Sequence, residues 1–368
     1  MIKPIAFYLP QFHPIPENDL WWGKGFTEWT NVTKAKPLFP GHYQPFLPAD
    51  LGYYDLRISE IRVEQSILAK SFGIYGFAYW HYWFGGGKML LQRPAEEMLS
   101  SGQPDFPFCF AWANETWSGR WHGLNDKVLI TQDYPGVDDV YNHFMYCLPF
   151  FRDHRYIKVN GKPVFIIYRP NDVPDNLMFL DLWQKFSINS GFEGVHFIGV
   201  SDKSDINGKG YGGRIQNAPI VSGRLKGKRI RHDQSLMSIK KILSTYFTNP
   251  KPGYPETYSY SDYVQSRLDI GFGDDEYPLV LPGWDNTPRS SSRGLVLHDV
   301  NVDSFKKYLE FACRCSRDSK LPGDFLFVKS WNEWAEGNVL EPSIRFGNAF
   351  LEGFLEVLSV FGHFSRRN

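Results

Sequence analysis

The stretch Phe325-Leu326-Phe327-Val328-Lys329-Ser330-Trp331-Asn332-Glu333-Trp334-Ala335-Glu336-Gly337 decides how the rest of the chain is read. Its apolar opening suits a strand covered on both faces, as in a parallel sheet. A polar, aromatic-rich segment follows at once, so the chemistry-bearing residues sit where the strand ends. On a continuing strand, residues three apart point to opposite faces. Glu333 and Glu336 can therefore cooperate only if the strand stops near Glu333 and the chain turns, which Gly337 helps permit. Two unrelated carboxylates, exposed or structural, are the alternative.

Working outward, similar runs recur at Ile5–Leu9, Gly76–Trp80, Phe108–Trp112, Val164–Tyr168, His196–Val200 and Leu279–Pro282, with the quoted one covering Phe325–Ser330. An eighth strand near Gly213–Ile220 has a poorer pattern. Helix candidates lie between them. Asp55–Phe72 places Ile58, Ile61, Leu68 and Phe72 near one face, and Val137–Asp153 follows the third strand. Pro174–Ser190 opens on a proline suited to a first turn. Asp303–Arg317 aligns Phe305, Leu309 and Ala312, and Phe346–Phe361 closes the chain. Alternating strands and helices build right-handed βαβ units. Eight units in 368 residues predict one (β/α)8 TIM barrel over residues 1–368, in preference to a doubly wound sheet. The long aromatic loop Pro10–Asp50 would elaborate the C-terminal face of the strands, where barrels carry their sites. Residues 201–260 read as an irregular basic insertion holding Arg224, Lys226, Lys228, Arg229 and Arg231. It is either a solvated surface or a contact for phosphate or an acidic partner.

Lys+Arg and Asp+Glu both number 40, so the basic excess of a nucleic-acid binder is missing. Aromatics make up 17 % of the chain, with 12 Trp, many beside Gly, Asn, Asp and His as in a wet cleft. Cys109, Cys147, Cys313 and Cys315 lack the paired spacing of a structural zinc site and read as free thiols in a reducing compartment. No metal site is expected. The start MIKPIAFYLPQFHP lacks a signal-peptide pattern, and no apolar run reaches a membrane span. With Met1 as the natural start, these features predict a cytoplasmic protein.

Paired carboxylates suit glycosidic chemistry, in which one donates a proton to the leaving oxygen and the other acts ionised, as base or nucleophile. Apolar walls and a neighbouring negative charge raise a carboxyl pKa and keep one member protonated near neutral pH. Trp331 and Trp334 offer stacking surfaces, and Asn332 offers hydrogen bonds to hydroxyls. Further candidates for substrate contact fall at other strand ends: Tyr8, Gln11 and His13; Tyr79, His81, Tyr82 and Trp83; Trp112, Asn114, Glu115 and Trp117; Trp284, Asp285, Asn286 and Arg289; and Glu341 beyond the Glu pair. Taken singly, each is better explained as core or structure. Their shared placement carries the argument, because barrel sites gather residues from several strand ends.

The segments YLPQFHPIPENDLWWGKGFTEWTNV, GIYGFAYWHYWFGGG, FAWANETW, LPGWDNTPR and SWNEWAEGNVLEP resemble the WbsX-type family of polysaccharide glycosyltransferases. That family is in turn similar to glycoside hydrolase family 99, the endo-α-mannosidases and endo-α-mannanases. The match runs from about Ile2 to the C-terminal helix and is weakest across Ser201–Tyr260. The link to family 99 rests mainly on the barrel layout and the Asn-Glu-Trp-x-Glu-Gly core. It implies that Glu333 is a base on the sugar's own 2-hydroxyl, giving a 1,2-anhydro sugar with overall retention. Glu336 would be the acid, then the base for incoming water. Family 99 usually has His where this chain has Ala335, which leaves the pair intact and counts against an endo-mannosidase substrate.

Other patterns fail on context. Gly208-Lys209-Gly210-Tyr211-Gly212-Gly213 fits GxGxxG in letters but does not join a strand to a helix. Asp274-Asp275-Glu276 reads as a solvated turn rather than a metal site. Three functions compete: a retaining glycoside hydrolase, a cytoplasmic glycosyltransferase of O-antigen or other surface-polysaccharide assembly, and a non-catalytic glycan-binding barrel. The partner is a glycan in each case, joined in the second by an activated sugar donor or lipid-linked glycan. The hydrolase needs no cofactor.

Overall fold

Successive residues of a strand face opposite sides, so an all-apolar run demands cover on both. The computed structural model describes residues 1–119, 127–202, 206, 208–219, 223–232 and 253–362. Among these, eight parallel strands are β1 Lys3–Tyr8, β2 Gly76–Trp83, β3 Phe108–Trp112, β4 Lys162–Ile167, β5 His196–Val200, β6 Gly213–Ile215, β7 Leu279–Val280 and β8 Phe325–Val328. β1 to β6 lie in chain order, β8 pairs with the free side of β1, and β7 flanks β8. A parallel bridge from Arg214 to Glu276 closes the ring. There the Arg214 N–H donates to the Asp275 carbonyl and the Tyr277 N–H to the Arg214 carbonyl, both at 2.8 Å. The chain is a (β/α)8 barrel.

Alternation sorts the side chains. Phe7 on β1 stacks on Trp80 of β2 with ring centroids 4.8 Å apart, inside the barrel. Tyr8, its neighbour, turns outward and donates to Gln65 Oε1 at 2.7 Å on the helix Ser59–Ser71. Likewise Trp80 and Tyr82 point to the barrel mouth, whereas Tyr79 and His81 meet the outer shell. That shell is aromatic. Trp183 of the helix Asn176–Asn189 is fully buried and contacts Phe165 of β4 and Phe197 of β5. Burying a side chain of this size contributes on the order of 3 kcal/mol.

Several expectations need correction. The helix Ser59–Ser71 buries Arg62, Gln65, Ser66 and Ala69, while Ile58 is exposed and Ile61, Leu68 and Phe72 are only half-buried. Ile61, Leu68 and Phe72 still pack against the core, and Arg62 and Gln65 are buried beside them because they serve neighbouring loops: Arg62 donates to the Leu56 carbonyl and Gln65 reaches Glu341. Pro174 precedes its helix, which starts at Asn176 after Asp175 accepts from the Met178 N–H at 3.2 Å. Asp275 and Glu276 do not form a solvated turn. They pair with the buried Arg214 at 3.0 and 2.8 Å, where the ring closes. The stripe Phe305, Leu309 and Ala312 is fully buried, as its spacing predicts.

Within residues 201–260, positions 203–205, 207, 220–222 and 233–252 and the Arg224 side chain lie outside the described residues. Of the basic group, Lys226, Lys228, Arg229 and Arg231 are exposed, and Lys228 pairs with Asp262 at 2.7 Å. Gly208–Gly213 leads into β6 through a turn, not into a helix. Cys109, Cys147 and Cys313 are buried free thiols, and Cys315 is half-buried. Among the described residues no helix is long and apolar enough to cross a membrane.

Candidate active site

Beyond β8 the chain forms a two-residue strand, Asn332–Glu333, paired antiparallel with Asn338–Val339. A 3-10 turn, Trp334–Glu336, joins them. Gly337 completes the reversal at φ +63°, where a Cβ would lie 2.8 Å from the Asp285 nitrogen. Both position and conformation therefore require glycine. The hairpin is fixed at two points. Asn332 Oδ1 accepts from the Leu9 N–H at 2.7 Å and its Nδ2 donates to the Leu9 carbonyl at 3.1 Å, extending β1 by a side chain. The Asp285 N–H donates to the Glu336 carbonyl at 2.7 Å. Strand end and turn together bring Glu333 and Glu336 to one side.

Arg289 joins the two acids. Its Nη2 lies 3.1 Å from Glu333 Oε2 and its Nη1 2.5 Å from Glu336 Oε1, while Nε donates to Glu28 Oε1 at 2.7 Å. Three carboxylates thus share one guanidinium, whose rigid fork matches several acceptors at once. The Trp80 indole N–H donates to the other oxygen of Glu333 at 3.0 Å. Burial pushes the Glu333 carboxyl up to about 7; the charges of Glu336 and Glu28 add to the rise, and Arg289 opposes it.

A cleft of about 400 Å³ opens over this pair. Of the residues singled out in the sequence, Gln11, Tyr82, Glu115, Trp117, Trp284, Asn286, Arg289, Glu333 and Glu336 line it. The remaining candidates lie behind the wall. Tyr8 and Tyr79 pack against each other, ring centroids 4.5 Å apart. His13 is buried, and burial lowers its pKa to about 4. His81 meets His143 nitrogen to nitrogen at 2.8 Å, and Trp83 stacks on the same His143. Trp112 donates to the Trp83 carbonyl at 2.8 Å. Asn114 accepts from the Arg169 N–H at 2.7 Å and donates to its carbonyl at 2.8 Å. Trp331 and Asn332 are fully buried. Asp285 accepts from Gln44 at 2.6 Å and lies 2.7 Å from His42 Nε2, facing a smaller cavity behind the turn. Glu341 accepts from Tyr54, Gln65 and Trp334 at 2.6–2.8 Å. These residues hold the site's frame.

The cleft also contains Glu28, Trp80, Tyr168, Arg169 and Lys329, which the sequence reading passed over. Strand alternation would have paired Trp80 with Tyr82, and Glu28 lies within the long loop assigned to the site face. Among the described residues, His81, His143 and Cys147 form a potential metal-ligand cluster, with ligand atoms within 4.8 Å of one another. The 2.8 Å nitrogen contact fits a hydrogen bond between imidazoles, and all three side chains are buried.

A family profile described as "Glycosyltransferase WbsX" matches residues 4–354. Two curated relatives, each described as "Uncharacterized protein WxcX", come from Xanthomonas campestris pv. campestris, one from strain B100 and one from strain ATCC 33913. They are 34 % and 35 % identical over 360 residues, or 96 % of this chain and 49 % of theirs. The chain therefore spans about half the length of the curated relatives it matches. Two solved structures of a family GH99 endo-α-mannosidase from Bacteroides thetaiotaomicron superpose with TM-scores of 0.58 and 0.60 at 16 % and 15 % identity. Both cover 98 % of this chain, and 98 % and 97 % of theirs. A "Glycoside hydrolase-like protein" gives 0.56 at 13 % identity, covering 97 % of this chain and 93 % of its own. At such identities the likeness is one of fold.

Proposed function

This chain belongs to the family described as glycosyltransferase WbsX, and from that premise we propose that it acts on glycosidic bonds of an oligo- or polysaccharide through Glu333 and Glu336. One observation carries the reading: two carboxylates on a single turn, bridged by the guanidinium of Arg289 at the floor of an aromatic cleft. Glu333, raised to about 7, is matched to proton abstraction near neutral pH, where a base is most effective. It takes the proton of the sugar's 2-hydroxyl as that oxygen attacks the anomeric carbon. Glu336, carrying the pair's proton once substrate is bound, gives it to the departing oxygen as that oxygen's bond to the anomeric carbon breaks. Glu336 then deprotonates the incoming acceptor, which attacks the same carbon while the bond to the 2-oxygen breaks and Glu333 returns its proton to that oxygen. For the first step, the contact of Glu336 with Arg289 Nη1 gives way to the leaving group. Trp117, Trp284 and Tyr82 supply apolar faces for sugar rings. Coupled carboxylates titrate as a pair, so the acid and base roles are properties of the pair with substrate bound.

The family description favours a second reading of the same site, in which the acceptor is a sugar hydroxyl instead of water and the donor is an activated sugar or lipid-linked glycan. Incubation with a glycan panel, with and without activated donors, followed by mass analysis of products, separates the two. Hydrolysis without a donor supports the first reading, and donor-dependent elongation the second. Full activity in Glu333→Gln or Glu336→Gln would remove both.

A further inference from the structure

Resting on the reading of the cleft as a glycan site, we propose that Lys329, with Ala218 after β6 and Trp284 after β7, forms a subsite for an anionic group of the substrate, either a sugar carboxylate or a phosphate. Lys329 follows β8 directly. Its ammonium reaches past β7, donates to the Ala218 carbonyl at 3.1 Å, and lies 5.1 Å from the centre of the Trp284 ring. The side chain lines the cleft yet is only 9 % exposed.

An ammonium has three donors and no acceptor. Among the described residues a single oxygen takes one of them, and no carboxylate lies within ion-pair distance. The other cations of the cleft are matched: Arg289 by Glu28, Glu333 and Glu336, and Arg169 by Glu115 at 2.8 Å. Glu333 is near enough for Lys329 to oppose its rise in pKa, but its two oxygens are held by Trp80 and Arg289. A buried charge with no carboxylate in direct contact is costly, and a cation over an indole face recovers only part of that cost. Beside it, Trp284 Nε1 is a second buried donor with no acceptor among the described residues. Sugar hydroxyls would meet the hydrogen bonds without supplying an ion pair; an oxyanion supplies both. The loops after strands 7 and 8 are also where barrels of this architecture frequently hold phosphate.

Binding isotherms test this with three probes: methyl α-D-glucopyranoside, methyl α-D-glucuronide and UDP-glucose. Wild type is expected to bind at least one anionic probe about tenfold or more tighter than the neutral one. Lys329→Met loses that advantage, by about ten- to a hundredfold, and weakens the neutral probe by much less. Lys329→Arg keeps most of it, and thermal melts of both variants report folding. A response to glucuronide alone assigns a uronate-bearing glycan, and to UDP-glucose alone an activated donor. A response to both supports the shared oxyanion chemistry. No preference for either anion in wild type, or an unchanged preference in Lys329→Met, overturns the subsite. So does equal loss of neutral and anionic probes in a folded Lys329→Met. Turnover in the same samples keeps the two readings apart. Glu333-dependent turnover without anion preference removes the subsite alone; anion preference without such turnover removes the catalytic reading alone.

Discussion

The indole N–H of Trp80 donates to Glu333 Oε1 at 3.0 Å, and the same ring lies stacked on Phe7 at 4.8 Å. The carboxylate is thus aimed by a donor that the barrel core itself holds. Trp80→Phe keeps an aromatic on Phe7 and removes the donor. A hydrogen bond to a charged partner contributes about 1.5–3 kcal/mol, so kcat/KM is expected to fall about ten- to a hundredfold with little change in the unfolding midpoint. Steady-state kinetics on the glycan found by the panel check this; unchanged kcat/KM would free Trp80 of any part in the reaction.

Arg289 is the shared countercharge of Glu28, Glu333 and Glu336. Arg289→Met leaves the three acids facing one another. Because Arg289 opposes the upward shift of Glu333, its loss moves the acidic limb of the kcat/KM profile to higher pH and lowers the plateau. Arg289→Lys restores a charge without the planar fork, so it is expected to bring the limb back while leaving the rate low. A pH–rate profile that stays in place in Arg289→Met would separate Arg289 from the titration of the pair.

What could be read in advance followed from local rules. Strand ends and the turn after Glu333 are written in apolar runs and glycine, so the barrel and the acid pair were legible. The phase of β2 was not: Gly76–Trp83 is buried at nearly every position, and a strand covered on both faces has no polar marker for which alternate set points inward. Tyr79 and His81 were therefore grouped with Tyr82, and Trp80 was missed. Glu28 and Arg289 are 261 positions apart, so their pairing emerges only when the ring closes. At the helix Ser59–Ser71, Ile61, Leu68 and Phe72 do pack against the core, but the most deeply buried positions include Arg62 and Gln65, which brace loops that the sequence leaves unplaced.

Gly337→Ala tests whether the turn sets the position of Glu336. The added Cβ meets the Asp285 nitrogen at 2.8 Å in a backbone conformation of φ +63°, and that nitrogen is the donor holding the Glu336 carbonyl. A non-glycine residue there costs on the order of 1–3 kcal/mol. The unfolding midpoint is expected to drop by about 1–4 °C and activity to fall further than the loss of folded protein explains. Normal specific activity in the folded fraction would show that the turn tolerates displacement.

Glu341 sets a pH dependence of stability separable from the active site. It is buried with three hydrogen-bond donors around it, and burial raises its pKa from 4.5 to about 7. A carboxyl raised in the folded state binds more protons folded than unfolded, so unfolding free energy falls as pH rises. The contribution is full below about 4.5 and is lost as pH passes through about 7, on the order of 3 kcal/mol. Glu333, raised in the same sense, adds a parallel decline. In Glu341→Gln the amide keeps an acceptor for Tyr54 and Trp334, and Gln65 can rotate its own amide to meet the new N–H₂. Thermal melts between pH 5 and pH 8 should therefore show wild type losing stability toward pH 8 and Glu341→Gln losing about half as much. Parallel curves for the two proteins would mean that Glu341 is ionised throughout the folded state, against the effect of its burial.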